Sequence, residues 1–221
     1  MKNRKTALKH AVPAAPVNPH GILDSLEKLV RKNKNIIAGF MIAVIAATAV
    51  YAAAMHAQNK KRQQQLAGLF TAELAVAAAQ DFSLKPLEDF ARQNISNDEG
   101  VWAYFTLGNA QYQLKDYANA QQAFKQVMEK GNKETASLAE VSLIAAQIAA
   151  KDYNAAIAQA ESFAAKYPAH FALAQVKHHK ALAQELAGQK AAAKEGYTQI
   201  TADYPNTYYA VFAQARLTEM K

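Results

Sequence analysis

The sequence predicts an all-α protein in which a single N-terminal transmembrane helix is followed by a solenoid of helical hairpins. Three observations support this prediction. Residues 36–54 form an apolar stretch without a formal charge, the chain after Lys61 is rich in Ala, Leu, Gln, Glu and Lys, and similar segments recur about 36 residues apart. Residues of these types favour helices, and a fixed period of this length is typical of repeat architectures.

Residues 1–35 form a basic tail ahead of the apolar stretch. They contain eight Lys or Arg residues and two acidic residues, which gives +6 of the formal +7 of the whole chain. The rest of the chain holds 17 basic and 16 acidic residues, so its charges nearly cancel. A nucleic-acid interface needs clustered positive charge, and we therefore predict no nucleic-acid partner.

Residues 36–55 are predicted to be a transmembrane helix in contact with membrane lipid. The nineteen residues from Ile36 to Ala54 rise about 28 Å as a helix, close to the hydrocarbon thickness of about 30 Å. Basic residues are more numerous before this stretch than after it, so we expect the N-terminus in the cytoplasm and the large domain outside. A cleaved secretory signal is the alternative, because Ala52 to Ala54 fits the small-residue cleavage pattern.

The chain shows no pattern of an enzyme or a metal site. It contains no cysteine, which leaves no thiolate ligand and no cysteine for lipid attachment. Among its six histidines, His178 and His179 are adjacent and would point about 100° apart on a helix, so surface positions are predicted for them. Glycine-rich phosphate loops and G-x-S-x-G motifs are absent. We predict no catalytic activity, no cofactor and no metal.

Residues 60–221 are predicted to be a helical repeat domain. The segment KDYANA at 115–120 returns as KDYNAA at 151–156, and AAKYP at 164–168 returns as TADYP at 201–205. Each proline is expected to end a helix, because the residue before proline avoids the α region. The predicted hairpins cover about 61–95, 101–131, 135–168 and 170–205, with a capping helix at 206–221. Within them, helices are expected at 61–80, 84–94, 101–114, 118–130, 135–150, 154–166, 170–187, 190–203 and 206–220.

The second hairpin resembles the tetratricopeptide repeat (TPR), whose pattern spaces an aromatic residue, Leu-Gly, Tyr, Ala and a second aromatic residue. The matching residues are Tyr104, Leu107, Gly108, Tyr112 (one residue late), Ala120, Phe124 and Val127. This resemblance implies a right-handed α-solenoid in which Gly108 lies where the paired helix crosses. The third hairpin departs from the pattern, with Ile144 in place of Gly and Ala160 in place of the aromatic residue.

The TPR resemblance also implies a groove that holds extended peptides and is lined by the first helix of each hairpin. The residues expected in this partner-binding groove are Trp102, Phe105, Asn109, Tyr112, Gln113, His178 and Glu185. An aromatic side chain would anchor the peptide, and amides would fix its backbone. Trp102 could instead cover the preceding hairpin, and both interpretations stay open at this point.

The order of tail, span and repeat domain resembles the YfgM-like ancillary subunits of the bacterial Sec translocon. That resemblance implies an inner-membrane protein with a periplasmic repeat domain, a scaffold for translocon subunits, periplasmic chaperones or unfolded segments. The segment YPNTYYA at 204–210 also resembles Tol-Pal-associated and outer-membrane assembly repeat proteins, which implies an envelope-assembly or cell-division role. A secretion or pilus accessory protein is a third alternative.

Overall fold

The computed structural model describes residues 31–78 and 83–220, and within these residues it contains helices and no strand. The all-α prediction is confirmed. The chain divides into two units, Met1–Lys60 and Lys61–Lys221. The helices are α1 Lys34–Ala78, α2 Lys85–Asn94, α3 Asp98–Gln113, α4 Tyr117–Lys130, α5 Lys133–Ala149, α6 Tyr153–Lys166, α7 Leu173–Leu186, α8 Lys190–Asp203 and α9 Tyr208–Glu219.

The part of α1 in the first unit exposes a run of apolar side chains, including Met41, Ile42 and Val50. Among the described residues, one helix, over Met41–Ala78, is by its length and composition able to cross a membrane. The Thr48 hydroxyl donates a hydrogen bond to a backbone carbonyl one turn earlier, at 2.9 Å, so it needs no water partner. Residues 1–30 of the predicted basic tail, and residues 79–80 of the predicted helix 61–80, lie outside the described residues.

Asparagine side chains set the starts of α3 and α5. The side-chain Oδ1 of Asn97 accepts a hydrogen bond from the Gly100 N–H at 3.0 Å. The Asn132 side chain accepts from the N–H groups of Glu134 and Thr135. Such N-caps satisfy backbone donors that have no partner inside the helix. Both helices therefore begin two or three residues before the predicted starts at 101 and 135.

The turn inside each of the last three hairpins contains one residue in the left-handed region. Lys115, Lys151 and Gly188 occupy equivalent places, with φ of 62°, 65° and 79°. A lysine in this region is strained, because its Cβ approaches the following carbonyl, whereas glycine has no Cβ. The repeated KDY and GQK segments are thus one turn geometry built with different residues.

The caps that follow these turns also differ. Asp116 and Asp152 each accept a hydrogen bond from the backbone N–H three residues ahead, at the starts of α4 and α6. Gln189, in the equivalent place before α8, makes no side-chain cap. The last hairpin, formed by α7 and α8, therefore has the unstrained turn but lacks the aspartate cap.

The helices of the second unit form two layers. Contacts join α3 to α5, α5 to α7 and α7 to α9, and we call these four helices the inner layer. Helices α4, α6 and α8 each contact the inner helix before and the inner helix after them, and α2 contacts α3. This alternation of first and second helices is the layout of a TPR-like solenoid.

Small residues oppose large ones where the two helices of a hairpin cross. A Cβ built on Gly108 would lie 2.7 Å from the Phe124 ring of α4, so the prediction that Gly108 faces the paired helix is confirmed. In the next hairpin the large residue is on the first helix instead, since Ile144 and Ala160 share one buried cluster. The departure from the TPR pattern therefore conserves volume, the kind of change that cores tolerate best.

Candidate functional site

The seven residues predicted to line a groove all lie on α3 and α7, but their side chains separate into two sets. The first set is exposed and consists of Trp102, Asn109 and Gln113. The second set is partly or fully buried and consists of Phe105, Tyr112, His178 and Glu185. The two sets differ in exposure because they lie on different sides of their helices.

Phe105 and Tyr112 lie between α3 and α5. Both pack against a buried cluster that contains Ala139 and Ala146 of α5. The Phe105 ring also meets the rings of Trp102 and Phe124 edge-on, at centroid distances of 5.6 and 5.9 Å. Phe105 and Tyr112 of α3 thus pack on a cluster that α3 shares with α4 and α5, and we call this α3–α5 contact the aromatic seam.

His178 lies in the equivalent place between α7 and α9. It is 7% exposed, and its ring lies 5.5 Å from Tyr209 and 4.7 Å from Phe212 of α9. Neither ring nitrogen has a hydrogen-bond partner among the described residues. The predicted surface position of His178 is therefore wrong, because its side of α7 is covered by α9. Burial lowers the pKa of its imidazole.

Glu185 lies two turns after His178 on the same side of α7. Its carboxylate accepts hydrogen bonds from the Tyr197 hydroxyl at 2.9 Å and from Arg216 of α9. The Arg216 guanidinium holds the pKa of Glu185 below its usual range. Burial, and then the bond to Glu185, raise the pKa of Tyr197. We call this α7–α9 contact the polar seam, and its Glu185 carboxylate is already engaged within the chain.

His179 is partly exposed, but its Nδ1 is buried without a partner among the described residues, and its Nε2 lies 3.4 Å from the Gln175 side chain. Burial, reinforced by the neighbouring His178, lowers the pKa of His179 to about 4. The ring is therefore uncharged at neutral pH. Its predicted position on the surface is only partly correct.

The exposed set extends into a longer stripe along the inner layer. Trp102, Asn109 and Gln113, with Thr106, follow the i, i+4, i+7, i+11 spacing that places residues on one side of a helix. The equivalent positions of α5 lie 36 residues after those of α3, and the equivalent positions of α7 lie 37 residues after those of α5. We call these twelve positions the inner stripe: Trp102, Thr106, Asn109, Gln113, Leu138, Ser142, Ala145, Ala149, Gln175, His179, Leu182 and Leu186.

The inner stripe is open and uncharged. All twelve side chains are exposed or partly exposed, and Asp, Glu, Lys and Arg are absent from it. Its side chains are small, aliphatic or amide-bearing, with one tryptophan and one histidine. The sequence-based prediction identified only its first helix. The signal that could have revealed the rest is the repeat period itself, applied to the exposed residues of α3.

Trp102 also borders a cavity of about 280 Å³ at the first hairpin. Leu66 and Leu69 of α1 line this cavity together with Glu99 and Thr135. Glu99 is 5% exposed and pairs with Arg62 at 3.5 Å. Trp102 therefore borders the preceding hairpin while keeping 44% of its surface exposed, so its two predicted roles are compatible.

A second cavity, of about 310 Å³, lies between α6, α7 and α8 on the other side of the inner layer. Its lining includes Glu161 and Lys180, which form an ion pair at 2.7 Å, and also Lys177 and Glu195. Ala181 also lines this cavity. The inner stripe and this opposite side of α7 therefore differ in chemistry, because the stripe lacks charged side chains and the cavity is lined by several.

A membrane-anchoring helix followed by layered helical hairpins defines a membrane-anchored protein with TPR-like repeats, a class of protein-interaction scaffold. Residues 97–221 match the family YfiO, described as outer membrane lipoprotein. Because this match covers more than half of the 221 residues, the chain belongs to that family. No curated protein matches the chain significantly.

The family match agrees with the repeat fold and with protein partners in the cell envelope. It also sharpens one difference, because the family description names a lipoprotein and this chain contains no cysteine. A lipid attached through cysteine is therefore excluded for these residues, and the apolar helix α1 offers the membrane anchor instead.

Proposed function

We propose that this protein is a membrane-anchored scaffold whose inner stripe holds an extended segment of a partner protein during export or folding of envelope proteins. The observation that carries the proposal is the exposed set on α3, where one aromatic ring and two amides share a side of the helix. Aromatic anchors surrounded by polar contacts are typical of binding hot spots. Amide side chains both donate and accept, so they match the alternating groups of a peptide backbone.

The anchor orients this scaffold. Residues 36–55 form the proposed membrane span, residues 1–35 the cytoplasmic tail, and residues 60–221 the repeat domain in the periplasm, at the inner membrane. The basic residues before the span support this orientation. The continuous course of α1 from Lys34 to Ala78 supports an uncleaved anchor, because cleavage after Ala54 would have to cut within a helix.

The state of the anchor has a direct test. Intact protein extracted from membranes should begin near residue 1 and should resist extraction with alkaline carbonate. Its mass, measured after purification, distinguishes the intact chain from one shortened at the alanine run. A soluble protein that begins at Met55 would contradict the proposed anchor.

Two partner groups follow from the resemblances. A Sec-translocon and chaperone association follows from the order of tail, span and repeats. An envelope-assembly role is the second candidate, and the match to a family described as outer membrane lipoprotein favours it. The two candidates predict different neighbours for the inner stripe, namely translocon subunits and chaperones, or outer-membrane assembly and peptidoglycan-linked proteins.

The experiment that tests the proposal changes Asn109 and Gln113 together to Ala. Both side chains are exposed, so the free energy of unfolding should change by less than about 0.5 kcal/mol. Capture of partners by affinity purification from membranes should fall. The matched control replaces Gln122 and Asn154, two exposed amides of α4 and α6, and should leave capture unchanged.

A photo-crosslinking residue at position 109 identifies the partner directly, with the same residue at position 122 as the control. Translocon subunits or chaperones crosslinked at 109 alone support the first candidate, and assembly proteins support the second. If capture survives the double change but is lost when α1 is replaced by an unrelated span, the interaction is in the membrane. The repeats would then be a spacer, and the proposal would be wrong.

A further inference from the structure

We propose that the inner stripe selects partner segments that carry no charge, so that the binding site rejects Asp, Glu, Lys and Arg in the bound segment. This inference rests on the proposed function and adds the chemical class of its partner. It starts from composition: Asp, Glu, Lys and Arg are absent from the twelve positions of the stripe, and α3, α5 and α7 carry all their charges elsewhere.

The charges in the middle of these helices are directed away from the stripe and are already paired. Glu140 is 2% exposed and accepts a hydrogen bond from Gln159 of α6. Lys180 pairs with Glu161 of α6 at 2.7 Å. Lys177 pairs with Asp203 of α8 at 2.9 Å. These partners all lie in the second helices of the hairpins, on the far side of the inner layer.

The first turns of α3 and α5 carry exposed charges outside the twelve positions. These residues are Asp98, Lys133 and Glu134. Acidic groups in the first turn of a helix complement its dipole. They mark one end of the uncharged site, so the inference applies to the part of a bound segment that lies over the stripe itself.

At the α9 end of the inner layer the charged side chains contact one another. The Arg216 guanidinium binds both Glu185 and Glu219, so it already has two carboxylate partners within the chain. His179 belongs to the stripe, and burial keeps its imidazole uncharged at neutral pH. A charged residue placed over the stripe would thus lose water without gaining a counter-ion from the twelve positions, which disfavours its binding.

The residues that are present suit an uncharged extended segment. Ser142 and Ala145 of α5 are small and allow a backbone to approach the middle of the stripe. Leu138 on the same helix, and Leu182 and Leu186 on α7, offer apolar contacts beside them. The amides of α3 can pair with backbone groups that would otherwise lose their hydrogen bonds to water. The same reasoning excludes an acidic tail as the preferred partner, because the twelve positions offer no basic clamp.

The test uses the full chain in detergent and its single tryptophan, Trp102, whose fluorescence reports directly on the stripe. The probe is a synthetic peptide of Val, Thr and Gln with blocked ends. Two analogues carry a pair of Asp or a pair of Lys at its centre. We expect the uncharged peptide to shift the Trp102 emission to shorter wavelength in a saturable way. Both charged analogues should bind at least ~10-fold more weakly, a difference of about 1.4 kcal/mol.

A charge placed within the stripe should change this preference. Ala145→Glu should weaken the uncharged peptide about tenfold and should favour the Lys analogue over the Asp analogue. The matched control, Ala158→Glu, makes the same change at an exposed position of α6 and should leave all three affinities unchanged. Ser142→Asp serves as a second variant, and circular dichroism confirms that each variant is folded.

The possible results separate the inference from the function on which it rests. Equal affinity of charged and uncharged peptides at Trp102 would overturn the inference and leave the proposed function standing. The inference would also be overturned if Ala145→Glu and Ala158→Glu had the same effect. If no peptide of any kind changed the Trp102 signal, the peptide-binding role of the stripe would be wrong, and the inference would fail with it.

Discussion

The aromatic seam between α3 and α5 and the polar seam between α7 and α9 occupy equivalent places in the repeat but are held together by opposite chemistry. In the first, Phe105 and Tyr112 rest on a cluster that includes two alanines. In the second, the equivalent residues are His178 and Glu185, which face aromatic rings and Arg216 of α9. The same helix contact can therefore be made from apolar or from polar side chains.

The two seams differ in what they require. An apolar seam is stabilised by buried area alone and is insensitive to pH. A polar seam needs every buried group to have a partner. Glu185 meets this condition through Tyr197 and Arg216, whereas His178 does not, because both of its ring nitrogens lack a partner in the described part of the chain. We expect α9 to depend on solution conditions more than α3 and α5 do.

The largest expected effect is a loss of stability at the α3–α4 crossing, next to the aromatic seam. Gly108→Leu places a branched side chain where a Cβ alone would lie 2.7 Å from the buried Phe124 ring. It should lower the free energy of unfolding by about 3 kcal/mol, the upper end of the overpacking range. Urea unfolding followed by Trp102 fluorescence measures this change, and Thr106→Leu on the same helix is the control.

Gly108→Ala sharpens the same prediction. Alanine favours helices over glycine by about 1 kcal/mol, so an uncrowded position would gain stability. We expect a loss instead, because the Phe124 ring cannot move away within a cluster where it is 1% exposed. A stabilised Ala or Leu variant would show that α3 and α4 are not paired as described.

The crossing at Gly108 illustrates what sequence could predict. A glycine inside a helix is costly, so its presence indicated a close contact, and the helix ends near Pro168 and Pro205 followed from the proline rule. The helix α6 ends at Lys166 and α8 at Asp203, as expected from 154–166 and 190–203. Both features leave a signal in the local sequence, namely a costly glycine inside a helix or a proline that ends one.

The placement of the groove residues could not be predicted in the same way. Whether His178 is exposed depends on how α7 is rotated relative to α9, and no residue of α7 alone carries that information. Tyr112, one residue late in the TPR pattern, was the available hint that this side of α3 faces a neighbouring helix. The position at which the TPR pattern has this tyrosine is occupied by Gln111 in α3, Gln147 in α5 and Gln184 in α7.

The second prediction breaks the polar seam. Arg216→Met removes the cation that binds Glu185, whose side chain is only 15% exposed. We expect a loss of about 2 kcal/mol, less than the 3–5 kcal/mol typical of fully buried pairs, because Arg216 itself is partly exposed. Hydrogen exchange should show weaker protection of α9 and unchanged protection of α3.

A double change separates the cost of an unpaired charge from the cost of lost packing in this seam. Glu185→Leu together with Arg216→Met converts it into an apolar contact like that of the aromatic seam when both changes are made in a Tyr197→Phe background, because the buried Tyr197 hydroxyl would otherwise lose its acceptor. Stability should return to within about 1 kcal/mol of the original, because replacing both partners removes the unpaired charge. If the double variant were as unstable as Arg216→Met alone, the loss would come from packing rather than from the carboxylate.

The third prediction compares the two seams as pH falls. The folded-state pKa of His179 is about 4, below its ordinary value of 6.5. The unfolded chain therefore binds more protons below pH 6.5, and the stabilising contribution is complete above that pH. It is lost as pH falls from 6.5 toward 4, by about 2 kcal/mol at pH 5 from this group alone. Burial of His178 lowers its pKa and adds a loss in the same direction.

Hydrogen exchange at pH 7 and pH 5, corrected for the intrinsic exchange rates, measures this difference. Protection of α7, which carries both histidines, and of α9, which packs on His178, should fall at pH 5, while protection of α3 should not. His179→Gln keeps a polar side chain that cannot be protonated, and it should remove the part of the acid sensitivity that comes from His179. An equal loss of protection at both seams in the unmodified chain would contradict the comparison.

The smallest expected effect concerns the turns that connect the paired helices. Asp116 and Asp152 cap α4 and α6, whereas Gln189 before α8 makes no side-chain cap. Gln189→Asp should supply the missing cap and stabilise the last hairpin by about 0.5–1 kcal/mol. The matched control is Gln189→Glu, which brings the same charge near the N-terminus of α8 but is one methylene longer. Both variants gain from the helix dipole, so the difference between their urea midpoints isolates the hydrogen bond. If Glu stabilised the chain as much as Asp, charge alone would explain the gain, and the third turn would not be equivalent to the other two.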